Sequence, residues 1–289
     1  DDFRHHFVAF SVLSTIIFVS STMAILFHLG LMQRLVRAMA WVMVKVMDVS
    51  GSESLAASAN VFVGQTEAPL VVKPYIDTMT RSEIMAMMTG GMATIAGGVM
   101  AAYVSFGADP GHLLAASFMS APASLVIAKL MIPELEESNT KGVVQVDIPK
   151  TDANVLDAAC RGASEGVRLC INVAAMLIAF IALTSLINYL LTPLPHVSDA
   201  PLTVQRILGW LFAPLAWTMG VAWSDCPEIG QLLGEKIFLN EFVAYLDLMK
   251  LRESISPRSF TIATYALCGF ANFGSIAIQI GGIGGLVPS

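Results

Sequence analysis

Two acidic residues lie where acidic residues are costly. Glu67 falls inside NVFVGQTEAPLVV, residues 60–72, an apolar run that also holds Gln65 and Thr66. Glu241 follows Asn240 in a second apolar stretch, residues 229–248, which also carries Glu235 and Lys236. A charged side chain at mid-membrane costs about 2.5–3.5 kcal/mol even on the gentler insertion scale, so such groups mark substrate or ion pathways. Two interrupted apolar stretches add Thr94, in MATIAGGV, and Asn272 and Ser275, in CGFANFGS. This set is rich in amides, hydroxyls and carboxylates and poor in cations. Carboxylates accept strong charge-assisted hydrogen bonds, so the chemistry suits a neutral polar ligand bearing several O–H and N–H groups. An anionic ligand would call for Arg, Lys or open helix N-termini. A helix broken at TIAGG also frees backbone carbonyls, which can coordinate a small cation together with an Asn and a Thr oxygen.

Other chemistries find less support. The sequence has no GxSxG, HExxH or GxxxxGK[ST] motif. His5, His6, His28, His112 and His196 fall at span ends or in loops, where they read as interfacial residues. Cys160, Cys170, Cys226 and Cys268 form no CxxC pair and read as small hydrophobes. A net charge of −6 without a dense basic run gives no sign of nucleic-acid binding. Two other readings of the carboxylates stand beside the binding site. They could act as the acid/base pair of an intramembrane hydrolase, or pair with Lys and backbone amides purely for folding. No basic residue lies in the immediate tip around Glu67, and the expectation is of a protein that is not an enzyme.

The elements that must hold these residues are membrane elements. The chain is 55% hydrophobic and 13% charged, against about 25% charged in soluble domains. A spanning helix needs about 20 largely apolar residues, and residues 7–31, 84–106, 113–132 and 169–194 supply them. A fifth stretch, 260–288, carries no charge but is interrupted by glycines and polar residues. Residues 55–72 and 229–248 are apolar yet broken, and both read as re-entrant hairpins whose irregular backbone is buried in protein or lines a wet cavity. Arg34, Arg37, Lys45, Lys73 and Arg81, with Lys141, Lys150, Arg161 and Arg168, mark the cytoplasmic side, and the loops 106–112 and 192–201 the outside. Arg206, Lys250, Arg252 and Arg258 fit that orientation less well.

An internal repeat organises the chain. QRLVRAMAWVMVKVM from Gln33 and QRILGWLFAPLAWTM from Gln205 both read as amphipathic interfacial helices. Each is followed by a Ser/acid patch (SGSES; WSDCPE), a broken hairpin and a glycine-interrupted span. The same order begun from opposite faces is the signature of inverted repeats in secondary transporters. The expected fold is therefore an all-α polytopic helical bundle with two re-entrant hairpins, two interrupted helices and inverted repeats. Residues 1–32 would form a scaffold helix, 33–133 a first transport repeat, 134–200 a connector and scaffold span, and 201–289 a second transport repeat.

GQTEAPL at Gly64, TIAGGV at Thr94, SFMSAPASL at Ser117, NEFVAY at Asn240 and ATYALCGFANFGSIAI at Ala263 resemble the concentrative nucleoside transporter family, in order, from about Arg34 to the end of the chain. The resemblance implies a homotrimer in the plasma membrane, the inner membrane in a bacterium. Its protomers would import nucleosides such as uridine by an elevator-like motion coupled to the sodium gradient. It implies that Gln65, Thr66 and Glu67 hold the nucleobase beside an apolar wall at Val99. Glu241, Asn272 and Ser275 would hold the ribose, with Phe270 nearby. Sodium, the co-transported ion, would take side-chain oxygens from Asn60 and Thr94 and carbonyls from Val63 and Ile95. Family members usually begin with further membrane helices and end with another, so both ends are expected to lie beyond this sequence. The family pattern takes Ser or Thr at Thr94. Proton-coupled relatives tend to lose the side chain at Asn60, so Asn60 favours sodium. The alternative is proton coupling with Glu67 or Glu241 as the carrier.

Overall fold

The computed structural model describes residues 2–142, 152–193 and 201–284. The described residues form thirteen α-helices, two short 3-10 turns and no β-strand. Helix α1 (Asp2–His28) turns by 76° into α2 (Leu31–Met47). The turn passes through Gly30 at φ 76°, a conformation glycine adopts without penalty. Helix α2 buries Met32, Val36, Ala40 and Met43 while Leu35, Trp41 and Val46 stay exposed, the one-sided pattern of an interfacial helix.

Helix α3 (Gly51–Asn60) is buried along its whole length, which its run of Gly, Ala and Ser permits. The chain then turns through 61–67, makes the single turn α4 (Ala68–Val71) and leaves by a 3-10 turn (Lys73–Thr78). Helices α5 (Arg81–Ala93) and α6 (Gly97–Phe106) share one apolar stretch interrupted at residues 94–96, and α7 (Pro110–Met131) follows. Together α5–α6, α7 and α8 (Val155–Leu191) are long and apolar enough to cross a membrane, with α1–α2 as a bent fourth.

Helix α8 begins well before the apolar stretch that starts at residue 169. Asn154 caps it, accepting the Asp157 N–H at 2.9 Å. Gly162 and Gly166 then let it pack closely on α1. A Cβ at Gly162 would stand 2.6 Å from the Ser20 carbonyl, and one at Gly166 2.8 Å from the Ile17 Cα, the small-residue contact of membrane helix pairs. Ile171, Ile178, Ile181 and Leu190 remain exposed along it, as a lipid-facing surface requires. Lys150, His196, most of the loop 192–201 and the sequence beyond 284 lie outside the described residues, as do the side chains of His5 and His6.

The second half repeats the order. Helix α9 (Val204–Thr218) is followed by the hairpin α10 (Cys226–Phe238) and α11 (Glu241–Lys250), then by the broken pair α12 (Pro257–Leu267) and α13 (Phe273–Gly284). Glycines fit α9 to α10, since a Cβ at Gly230 would meet the Gly209 carbonyl at 2.5 Å.

Hydrogen bonds at the helix starts tie each hairpin to its broken helix. Ser50 with Glu53 and Thr80 with Glu83 form capping boxes on α3 and α5, each satisfying two otherwise orphaned N–H groups. The Ser52 hydroxyl donates to the Glu83 carboxylate at 2.9 Å, joining the two starts. In the second half Asp225, the cap of α10, accepts the Ser256 N–H at 3.1 Å. The Ser259 hydroxyl and the Ser256 N–H hold the Asp225 carboxyl down at about 2.

Candidate functional site

The first hairpin tip docks on the α5–α6 break. The Gly97 N–H donates to the Phe62 carbonyl at 3.1 Å. Glycines open the room for this approach. A Cβ at Gly91 would lie 3.1 Å from the Gln65 Cβ, and one at Gly90 would lie 3.2 Å from Asn60 Nδ2. The Glu67 N–H donates to the Gly64 carbonyl at 3.1 Å, and the Glu67 side chain folds back so that a Cβ at Gly64 would collide with its Oε2.

Asn60 ends α3 and is 1% exposed, yet neither its amide oxygen nor its amide nitrogen has a hydrogen-bond partner among the described residues. Thr94 and Ile95 are buried in the break, and the Thr94 hydroxyl donates to the Gly90 carbonyl at 2.9 Å. Asn60 and Thr94 therefore converge on Gly90, one through its amide and the other through its hydroxyl. Val63 lies in the adjoining turn, its N–H bonded to the Ala59 carbonyl at 3.0 Å. A buried amide oxygen without a donor, beside a hydroxyl and non-helical backbone, fits a hard cation, which prefers oxygen ligands. The described residues hold no cluster of three or more His, Cys, Asp or Glu that could hold a metal ion.

The second hairpin presents Glu241 by helix capping. Asn240 accepts the Val243 N–H at 3.0 Å and starts α11, which sets the buried Glu241 at its first position. The helix N-terminus favours that negative charge. Asn272 Nδ2 donates to Glu241 Oε2 at 2.8 Å, while Asn272 Oδ1 accepts the Ser275 N–H at 2.7 Å in the manner of an N-cap of α13. Gln65 Nε2 donates to the Ser275 hydroxyl at 3.1 Å. Four expected site residues, Gln65, Ser275, Asn272 and Glu241, thus form one continuous chain of hydrogen bonds across both hairpins and the second break.

The remaining four are placed differently. Thr66 and Glu67 have exposed side chains. Val99 is buried in the apolar cluster that includes Phe242 and Tyr245, and Phe270 packs at its edge. The Phe270 N–H donates to the Thr94 carbonyl at 3.3 Å, so the two breaks touch.

Gln279 belongs to this network although hydropathy reading overlooks it. Its Nε2 donates to Gln65 Oε1 at 3.2 Å and to the Met88 carbonyl at 3.0 Å. The signal is the helical spacing of Asn272, Ser275 and Gln279, which are buried while their neighbours on α13 are exposed. Lys236 is buried as well, and its Nζ donates to the Ala266 carbonyl at 2.9 Å, in the last turn before the second break.

Paired hairpins and paired broken helices in a repeated order, with polar side chains gathered where the breaks meet, form the architecture of secondary transporters. The chain belongs to the sodium-dependent nucleoside transporter family. Residues 112–289 match the family described as Na+ dependent nucleoside transporter C-terminus, and residues 9–110 match one described as nucleoside recognition. It is 46% identical over 297 residues to the rat sodium/nucleoside cotransporter 1, covering 97% of this chain and 46% of that protein. It is also 46% identical over 283 residues to the transporter YutK of Bacillus subtilis (strain 168), covering 97% of this chain and 70% of YutK. The chain spans about half the length of the mammalian relatives it matches. A solved structure of CNTnw in an inward-facing substrate-bound state superposes with a TM-score of 0.89 at 45% identity, covering 97% of this chain and 67% of that one. An outward-facing structure of a CNTnw variant gives a TM-score of 0.90 at 44% identity, covering the same shares of the two chains.

Proposed function

We propose that this chain carries the nucleoside and sodium sites of a concentrative importer that works by elevator-type alternating access. The observation that carries the reading is the hydrogen-bond chain Gln65–Ser275–Asn272–Glu241. Its donors and acceptors bond one another, and a ribose with vicinal hydroxyls can take their places. Glu241, Asn272 and Ser275 hold the ribose. Gln65, Thr66 and Glu67 hold the base, with Val99 as an apolar wall and Phe270 beside it. Sodium orders the first hairpin through the Asn60 and Thr94 side-chain oxygens and the Val63 and Ile95 carbonyls. The unpartnered Asn60 amide supports that assignment.

The hairpins and broken helices move as a transport unit, residues 33–133 with 201–289, against a scaffold that includes α1 and the apolar part of α8. The protein works as a homotrimer in the plasma membrane, the inner membrane of a bacterium. One sodium moving down 100 mV releases about 2.3 kcal/mol, roughly a fifty-fold accumulation of substrate before any concentration gradient is added. Relatives named as sodium/nucleoside cotransporters, and related structures in inward- and outward-facing states, support this reading.

The test is uptake of labelled uridine into proteoliposomes by the full-length protein, with adenosine and inosine as competitors. Replacing sodium with choline at fixed pH is expected to stop uptake. Glu241→Ala is expected to abolish binding, because buried ribose hydroxyls lose a charged acceptor. Uptake that persists in choline, or wild-type uridine affinity in Glu241→Ala, refutes the proposal.

A further inference from the structure

The direction of the Gln65 amide is set from outside its own hairpin. Gln279 of α13 is 2% exposed, and its Nε2 donates to the Met88 carbonyl of α5 at 3.0 Å and to Gln65 Oε1 at 3.2 Å. A backbone carbonyl can only accept, so the Gln279 nitrogen, and not its oxygen, must face Met88. Turning that amide over would set its oxygen against two acceptors. The nitrogen keeps its place although Gln279 Oε1 is left buried with no hydrogen-bond partner among the described residues. Gly91 makes the room for the two amides to lie side by side. A Cβ there would stand 2.7 Å from Gln279 Nε2 and 3.1 Å from the Gln65 Cβ.

The constraint passes to Gln65. Its oxygen is held by the Gln279 donor, so its nitrogen is turned toward Ser275 and donates to that hydroxyl at 3.1 Å. That is the direction of Asn272 and Glu241, the ribose end of the site. An amide nitrogen carries two hydrogens, so Gln65 meets a base as a donor. Glu67, two residues along the same tip, meets it with carboxylate oxygens that accept. A donor beside an acceptor matches one kind of base edge. In uracil and hypoxanthine the 4- or 6-carbonyl accepts and the adjoining ring N–H donates. In cytosine and adenine the amino group donates and the adjoining ring nitrogen accepts.

We propose that Gln279 is a positioning residue that sets base choice. By holding the Gln65 amide with its nitrogen toward the base, it makes the site select a carbonyl beside a ring N–H. Uridine and inosine are then preferred to their amino counterparts, cytidine and adenosine. The inference rests on the base site proposed above. Gln279 acts through Gln65, so changing it alters which base is preferred, whereas a residue that only supports the fold would lower the affinity for all nucleosides alike.

The test is the ratio of dissociation constants within two matched pairs, uridine with cytidine and inosine with adenosine. It is measured by equilibrium binding to the purified full-length protein in saturating sodium. The wild type is expected to bind the carbonyl-bearing member of each pair at least about tenfold more tightly, because the wrong edge leaves buried polar groups unpaired. Gln279→Glu can give its O–H to the Met88 carbonyl and offer its other oxygen to Gln65, which turns the Gln65 amide over. It is expected to reverse both preferences. Gln279→Leu frees the Gln65 amide to take either direction, and is expected to bring both ratios to within about twofold of unity. Each ratio is taken within one preparation, so loss of folded protein does not alter it. A wild type that binds both members equally or prefers the amino member, or wild-type ratios in both Gln279 variants, overturns the proposal. Gln65→Ala separates the two readings. Ratios that it abolishes but that persist in the Gln279 variants strike Gln279 alone. Unaltered affinity and ratios in Gln65→Ala strike the base site, and the inference falls with it.

Discussion

The Phe270 N–H donates to the Thr94 carbonyl at 3.3 Å, so the break in one interrupted helix is bonded to the break in the other. The approach depends on the residue before it. Gly269 has φ +129°, and a Cβ there would lie 2.8 Å from the carbonyls of Met92 and Ala93. The two breaks can touch only because that position has no side chain and tolerates a left-handed backbone.

Gly269→Ala is therefore expected to destabilise the folded protein by at least about 1–3 kcal/mol, from backbone strain alone, with the collision adding to it. Gly281→Ala is the control, since a Cβ at Gly281 meets nothing within 4 Å. Thermal unfolding of the purified protein measures both. Equal midpoints for the two variants would contradict the crossing as described.

Gln279→Ala removes the donor that holds both Gln65 Oε1 and the Met88 carbonyl. A buried acceptor left without its donor costs about 1–3 kcal/mol. Uridine affinity is expected to fall roughly tenfold because Gln65 loses its orientation. Adding Gln65→Ala is expected to cost little more, since residues in one network are not additive. Fully additive losses in a double-mutant cycle would place Gln279 outside the site.

Lys129 bonds Glu53 at the base of the first hairpin and also Glu134 at 3.0 Å, and it donates to the Ser82 hydroxyl at 2.9 Å. Glu53 is 1% exposed, so Lys129→Met leaves a buried carboxylate with no cation. The expected loss is about 3–5 kcal/mol, with part recovered when Glu53→Gln is added. Denaturant unfolding of the single and double variants checks this, and a double variant no better than the single would argue against the pair.

The breaks were legible in the sequence because polar residues at membrane depth are too costly to be incidental. Thr94, Glu241 and Asn272 are each buried at or beside a break in a helix, while Glu67, in the first hairpin tip, is exposed. What hydropathy misses follows from what it measures. The first turns of α8 carry Asp157, Arg161, Glu165 and Arg168, so the pattern registers only the apolar part, although Asn154 and two glycines support a helix from Val155. Gln279 and Lys236 look like ordinary interruptions of apolar runs. Their meaning lies in long-range partners, Gln65 and Ala266, that no local spacing reveals. The S-x-x-E and T-x-x-E signatures announce the starts of α3 and α5, but the Ser52–Glu83 bond between them belongs to the fold.

Asp225 supplies a test by pH of how the second hairpin is anchored. It stands at the start of α10 and accepts the Ser256 N–H from the start of α12, with the Ser224 hydroxyl at 2.9 Å on its other oxygen. The Ser259 and Ser256 groups favour the ionised form, which holds its carboxyl at about 2 against 3.8 for a free aspartate. A carboxyl whose folded pKa is depressed binds fewer protons folded than unfolded between those two values. Stability from this group is therefore complete above the unfolded pKa and is lost as pH falls through the folded one. Asp225→Asn keeps the shape and removes the titration. The wild type is expected to be the more stable of the two at pH 7, and to lose its advantage between about pH 4 and pH 2. Midpoints measured for both proteins across that range decide the matter, because the other carboxylates titrate alike in each and cancel in the difference. A constant difference from pH 7 to pH 2 would mean that the anchor does not depend on the charge of Asp225.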